Sequence, residues 1–169
     1  TLCIPLRILR ISNSAFCLSL YLSCAGHLNG FLIQDKKNLK MARYIVLGNG
    51  CLLVNIDKWL QVRDFYYPHV GEENHLLGHA HKIGIFTGSQ ISWINEDEWK
   101  KDVAYMENNL VSDCSAKNDR LKMRLKINDC VEYHKNIFLR KIAVQNLSDE
   151  AREVKIFFYH DFHLYGDGI

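Results

Sequence analysis

Apolar and charged positions alternate strictly in one part of the chain. From residue 121 to 127, every second side chain is apolar and the side chains between them are cations: Leu121, Met123, Leu125 and Ile127 against Lys122, Arg124 and Lys126. A period of two places the apolar side chains on one face of an extended segment and the cations on the other. The pattern therefore predicts an antiparallel strand with one buried face and one solvated face.

Similar but weaker patterns predict further strands on both sides of this segment. Residues 82–86 and 90–94 are rich in Ile, Phe and Trp and flank Thr87-Gly88-Ser89, so we predict a hairpin there. A weaker strand is predicted over 111–115 and a long one over 154–164. Helical periodicity is absent apart from one possible turn over 95–101. Short strands separated by Asn- and Asp-rich turns predict an all-β fold, an antiparallel β-sandwich.

The segment from Arg43 to Pro68 combines strand patterns with a run of charged and aromatic residues at its end. Tyr44-Ile45-Val46-Leu47 and Cys51-Leu52-Leu53-Val54 are β-branched and apolar, and Gly48-Asn49-Gly50 between them suits a tight turn. A third strand leads into Arg63-Asp64-Phe65-Tyr66-Tyr67. Aromatic rings beside charged hydrogen-bonding groups suit a sugar face or a domain interface.

Three blocks of the chain resemble one enzyme family. The stretch LGNGCLLVNIDKWLQVRDFYYPHVGEENH resembles the opening of the bacterial and archaeal branch of glycoside hydrolase family 15, the glucoamylase, glucodextranase and trehalase group. Phe138-Leu139-Arg140-Lys141 followed by Val144-Gln145-Asn146 resembles the family's FLR…V.N strand, and the run from Val154 to Phe162 its EVR.FFHHDF strand. The blocks occur in the family's order between Met41 and Ile169.

The resemblance implies a fold and an activity for the parent protein. It implies an N-terminal β-sandwich, here incomplete at its C-terminus, followed in the parent by an (α/α) barrel that this chain lacks. The implied reaction is inverting hydrolysis of α-glucosidic bonds by two glutamates of that barrel. No residue of this chain then inherits a catalytic role, and neither a cofactor nor a metal is expected. The expected partners are the catalytic domain and an α-glucan or disaccharide substrate, with no nucleic acid and no membrane.

Two other functions remain open from the sequence. The chain could be a stand-alone carbohydrate-binding or interaction β-sandwich without catalysis. It could also be the equivalent domain of a disaccharide phosphorylase, whose barrel would carry a phosphate site. A run of alternating helices after Ile169 would favour an enzyme, and a nearby stop would favour a binding module.

The first 40 residues differ in composition from the rest. They hold Cys3, Cys17 and Cys24, and without them the chain has 16 basic and 18 acidic residues, so its formal charge changes from +2 to −2. We interpret residues 1–40 as a leader outside the folded protein or disordered, with the sandwich beginning at Met41. The alternative is a signal peptide with Arg7 and Arg10 before a short apolar run.

The cysteines after residue 40 indicate the redox state of the compartment in which the protein lies. Cys51, Cys114 and Cys130 are odd in number and form no C-x-x-C pair, so we expect no disulfide framework and small apolar packing for each. A reducing, cytoplasmic setting follows, or secretion if the leader is a signal peptide.

Several groups of residues invite a catalytic or metal-binding interpretation. Glu72-Glu73 are adjacent, and an inverting pair needs carboxyls roughly 6.5–9.5 Å apart, so a solvated loop is the better interpretation. The motif H-x3-H-x-H (His75, His79, His81) and the cluster His160-Asp161-x-His163 contain ligand types that zinc uses. Because adjacent strand residues point to opposite faces, we interpret these histidines as structural or loop residues.

The strongest candidate for function is the loop after the third strand. We expect its polar and aromatic side chains to form the rim of a substrate pocket or a domain interface: Arg63, Asp64, Phe65, Tyr66, Tyr67 and His69. The alternative is that the rings fill the edge of the sandwich and that Arg63 pairs with Asp64 or a neighbour. Loops fixed on a rigid sheet commonly carry binding functions.

Overall fold

The structure is a computed structural model that describes residues 2–11, 16–18 and 44–163, with side chains from residue 44 onward. The described residues contain strands, turns and bridges but no helix. The strands are β1 (Leu2–Ile11), β2 (Phe16–Leu18), β3 (Ile45–Gly48), β4 (Leu53–Ile56), β5 (Val62–Tyr66), β6 (Lys82–Thr87), β7 (Gln90–Trp93), β8 (Trp99–Asp102), β9 (Cys114–Asn118), β10 (Met123–Val131), β11 (Phe138–Asn146) and β12 (Arg152–His160). The predicted all-β fold class is confirmed.

These strands form three sheets in which all paired strands are antiparallel. The first sheet has the order β1-β12-β6-β7, the second β2-β11-β10-β9-β8, and the third β3-β4-β5. In the second sheet β10 pairs with β11 from Met123 opposite Asn146 to Val131 opposite Phe138. In the first sheet β12 pairs with β6 from Val154 opposite Thr87 to Tyr159 opposite Lys82.

One apolar core holds the sheets together. The alternation in β10 has the predicted orientation, since Met123, Leu125 and Ile127 are buried and the cations between them are exposed. In β12 every second side chain from Val154 to Phe158 is buried in the same way. Side chains of all three sheets belong to a single buried cluster. Sheets that share one core in this way have the layered arrangement of a β-sandwich.

The predicted turn between β3 and β4 is present. Gly50 has φ of +96°, a conformation that favours glycine, and a Cβ on Gly48 would lie 2.9 Å from the carbonyl oxygen of Leu52. Asn49 accepts hydrogen bonds from the amides of Cys51 and Leu52 at 3.1 and 2.9 Å. Its side-chain amide also donates to the Glu132 carbonyl at 2.9 Å. Asn49 therefore fixes the turn and ties it to the end of the long β10 strand.

The structure corrects several predicted boundaries. The hairpin β6–β7 has the predicted turn with Gly88 at φ of +67°. The predicted helical turn over 95–101 is wrong, because its last residues begin β8, where Trp99 is buried and pairs with Asn118. The weak strand predicted over 111–115 lies further along, at Cys114–Asn118. The long final strand ends at His160, and residues 164–169 lie outside the described part.

The remaining observations concern the leader and the cysteines. Strands β1 and β2 pair with β12 and β11. Residues 1, 12–15 and 19–43 lie outside the described residues, and the interpretation of residues 1–40 as a leader remains a prediction.

Cys114 is buried and Cys130 half-buried, but Cys51 is exposed in the Asn-Gly turn, so its predicted apolar packing is wrong. None of the described residues forms a helix that is long and apolar enough to cross a membrane.

Candidate functional site

The predicted site residues lie on β5 and at the start of the loop that joins it to β6. Arg63, Asp64, Phe65 and Tyr66 belong to β5, and Tyr67 and His69 follow it. Asp64 is buried, Phe65 and Tyr66 are half-buried, and Tyr67 and His69 are exposed. The prediction that all six lie in a loop is therefore wrong for the four residues on β5 and right for Tyr67 and His69.

Asp64 is the best-anchored of these side chains. Its carboxylate accepts hydrogen bonds from Asn74 at 2.8 Å and from Asn55 at 3.0 Å. Asn74 in turn accepts a bond from the Phe65 amide at 3.0 Å, so the loop folds back onto β5. The Arg63 Nε lies 4.0 Å from an Asp57 carboxylate oxygen. This side-chain network fixes the base of the loop.

The outer part of the loop presents large apolar groups to solvent. Tyr67, Val70 and Leu77 are 44%, 57% and 56% exposed, and Phe162 after β12 is 44% exposed. Phe162 packs edge-on against Phe65, with ring centroids 5.4 Å apart. The peptide bond between Tyr67 and Pro68 is cis. Glu72 and Glu73 are both exposed in this loop, as the solvated-loop interpretation predicts.

The two histidine motifs meet in space. The His75 ring nitrogens Nε2 and Nδ1 lie 3.0 Å from the Tyr67 carbonyl oxygen and 3.3 Å from the His163 carbonyl oxygen, and the nitrogen that carries the hydrogen donates to the carbonyl it faces. His79 stacks on His163 with ring centroids 5.2 Å apart, and its Nδ1 lies 3.5 Å from the Asp161 carboxylate. The Asp161 carboxylate also lies 3.8 Å from His163 Nε2. About 80 residues separate the two motifs in sequence, so their approach cannot be predicted from spacing and depends on the β6–β12 pairing.

His81 and His160 form a second imidazole pair beneath this cluster. Their Nδ1 atoms are 3.1 Å apart, and His81 Nε2 lies 3.4 Å from the Asp161 carbonyl oxygen. Because a carbonyl oxygen only accepts, His81 Nε2 carries the hydrogen, and His160 Nδ1 donates to His81 Nδ1. Burial, the His160 ring and the charge of Arg140 lower the pKa of His81 to about 4. Burial and Arg140 also lower the pKa of His160.

Arg140 belongs to a buried ion pair that the sequence analysis did not identify. Its Nε and Nη2 donate to the two Asp129 carboxylate oxygens at 2.7 and 3.0 Å, and the two side chains are only 9% and 2% exposed. These residues lie directly opposite each other on β10 and β11. Their pairing could be found only once the register was known. The fork geometry is the strong, bidentate form of the contact.

A basic groove lies on the outer side of β8, β9 and β10. Its volume is about 460 Å³, and five of its lining side chains are cationic: Lys100, Lys101, Lys117, Arg124 and Lys126. Lys100 and Lys117 each lie 2.6 Å from an Asp119 oxygen, and Lys126 lies 3.2 Å from Asp113. Two carboxylates thus pair with three of the five cations, which weakens the groove as an anion site.

Comparison with known proteins relates the chain to a glycosyl hydrolase. It is 26% identical over 119 residues to an uncharacterized glycosyl hydrolase of the archaeon Methanocaldococcus jannaschii. The match covers 70% of this chain but only 18% of that relative. No protein-family model matches the chain, and no solved structure does. The similarity supports a glycoside hydrolase-related β domain.

Proposed function

We propose that this chain is the non-catalytic N-terminal β-sandwich portion of a glucoamylase-like glycoside hydrolase. The parent protein would hydrolyse α-glucosidic bonds with inversion, using two glutamates of a separate catalytic domain. The observation that carries the proposal is the match to a glycosyl hydrolase that is more than five times as long as the matched segment. The three blocks that resemble glycoside hydrolase family 15 support the narrower assignment.

The surface around the β5–β6 loop supports a docking role for the sandwich. Four large apolar side chains are exposed in the loop and directly after β12: Tyr67, Val70, Leu77 and Phe162. Exposed large apolar groups that form a contiguous patch often mark a surface that meets a partner. In the proposal the partner is the catalytic domain, and strand β5 with the start of the following loop lies at the edge of its sugar pocket, carrying Arg63, Asp64, Phe65, Tyr66, Tyr67 and His69. Asp64 would set the loop's position while Tyr67 makes the contact.

The full-length protein provides the test. Its gene product is assayed on maltose, dextrin and trehalose, and proton NMR identifies the anomer that is released first. The β-anomer from an α-linked substrate supports an inverting hydrolase, whereas the α-anomer contradicts it. Turnover that requires phosphate and releases a sugar phosphate supports the phosphorylase alternative.

The isolated 169-residue chain gives the complementary control. It is expected to hydrolyse none of these substrates. Turnover by this chain that survives Glu72→Gln and Glu73→Gln would contradict a non-catalytic role. Binding of maltooligosaccharides by a protein that has no hydrolase activity at full length would support the stand-alone binding module.

A further inference from the structure

Three side chains at the end of β12 and in the β5–β6 loop have the composition of a metal site. Among the described residues, His79, Asp161 and His163 each offer one ligand atom, and these atoms lie within 4.8 Å of one another. His79 Nδ1 is 3.5 Å and His163 Nε2 is 3.8 Å from oxygens of the same carboxylate. Zinc bonds of roughly 2.0–2.2 Å in a tetrahedron place neighbouring ligand atoms about 3.4 Å apart. The two histidine-to-carboxylate separations are within a few tenths of an ångström of this value, and all three ligand atoms lie within 4.8 Å of one another.

The backbone holds both segments of this cluster in place. The His163 amide donates to the His75 carbonyl at 2.8 Å, and the His79 amide donates to the Leu76 carbonyl at 2.7 Å. The Tyr159 hydroxyl donates to an Asp161 carboxylate oxygen at 3.1 Å. Such an outer bond orients a carboxylate that coordinates a metal. The three ligand groups are therefore positioned before any ion arrives.

The cluster also has an unused polar atom and an open side. His163 Nε2 is buried and has no hydrogen-bond partner among the described residues, although buried polar atoms are generally paired. The side chains of His79 and His163 are 52% and 40% exposed, so the cluster lies at the protein surface. Two imidazoles and one carboxylate leave one tetrahedral position for water or a further ligand.

We propose that His79, Asp161 and His163 bind a divalent transition-metal ion of the zinc type, with water in the fourth position. The donor set selects this class of ion. Ca²⁺ and Mg²⁺ prefer sites made of oxygen ligands, whereas imidazole suits Zn²⁺, Cu²⁺ and Ni²⁺. Such an ion would fasten the β5–β6 loop to the end of β12. The site is independent of the proposed glycoside hydrolase activity.

The test uses the full chain without a polyhistidine tag, stripped of metal and titrated with Zn²⁺ by calorimetry and against a chromophoric chelator. The wild type is expected to bind one Zn²⁺ per chain with a Kd in the micromolar range or below. His79→Gln and His163→Gln should each weaken binding about tenfold or more, and Tyr159→Phe, which removes only the outer hydrogen bond, about tenfold. His134→Gln is the matched control, because His134 is an exposed histidine remote in sequence from all three ligands, and it should bind as the wild type does.

Other outcomes would overturn the proposal. Absence of stoichiometric binding at a Zn²⁺ concentration of about 100 µM would mean that the three residues form only hydrogen bonds and ion pairs and bind no metal. Binding that persists in both histidine variants would assign the ion to other ligands of the chain. His79 is half-exposed, so without metal His79→Gln should melt at the same temperature as the metal-free wild type. This variant therefore tests the proposal even if His163→Gln folds poorly.

Discussion

At the scale of single residues, the buried Asp129–Arg140 pair has the largest predicted effect on stability. Removing one partner of a buried pair leaves an uncompensated charge, which typically costs about 3–5 kcal/mol. We expect Arg140→Ala to lower the free energy of unfolding by about that amount in urea titrations. Lys141→Ala, an exposed neighbour on the same strand, is the control and should change it by less than about 0.5 kcal/mol. Equal effects of the two variants would show that the pair is not buried as described.

His81 leads to a prediction about pH. Its pKa falls from 6.5 to about 4 in the folded chain, so between these values the unfolded chain binds more protons. Stability contributed by neutral His81 is thus complete above pH 6.5 and is lost as the pH falls toward 4. We expect the wild type to lose roughly 2 kcal/mol between pH 7 and pH 4.5 from this group. The measurement is urea unfolding across that range.

The His81 prediction has a variant and a control of its own. His81→Gln removes the titrating group, so its stability should depend less steeply on pH than that of the wild type. His134→Gln removes an exposed histidine and should leave the wild-type slope unchanged. Identical slopes in His81→Gln and the wild type would contradict the assigned cause.

At the scale of elements, β10 shows what local pattern can predict. Its alternation follows from sequence because the period of a strand is fixed by backbone geometry, and the structure buries the expected side chains. We expect Leu125→Ala to cost about 2–5 kcal/mol, since it leaves a cavity in the core. Arg124→Ala on the opposite face should change stability by less than about 0.5 kcal/mol. Thermal unfolding of both variants would test the register, and a reversed order would contradict it.

Other elements show where local pattern fails. Residues 95–101 have too few apolar positions to define a period. Trp99 belongs to β8, where it is buried and pairs with Asn118, a residue distant in sequence. Local pattern also fails to predict the histidine cluster. His79 and Asp161 are 82 residues apart, and their approach depends on the pairing of β6 with β12. The chemistry of Asp64 predicts a site residue, but its two asparagine partners follow only from the structure.

At the scale of the whole molecule, the β5–β6 loop divides into an anchored base and an exposed tip. Asp64 is buried and hydrogen-bonded, so Asp64→Ala should lower stability by about 1–3 kcal/mol through its unpaired asparagine donors. That loss makes Asp64 a poor probe of docking. Tyr67 is 44% exposed, so its truncation removes contact area without opening the core.

The proposed docking then predicts a separation of activity from stability in the full-length protein. Tyr67→Ala should lower kcat/KM about tenfold, the equivalent of one buried aromatic contact at an interface worth more than 1 kcal/mol. Its melting temperature should stay close to that of the wild type. Tyr133→Ala is the matched control, because Tyr133 is 72% exposed in the β10–β11 connection and the proposal gives it no partner. Wild-type kcat/KM in Tyr67→Ala would mean that the loop tip meets no catalytic domain, and an equal loss in Tyr133→Ala would mean that the effect does not depend on the proposed surface.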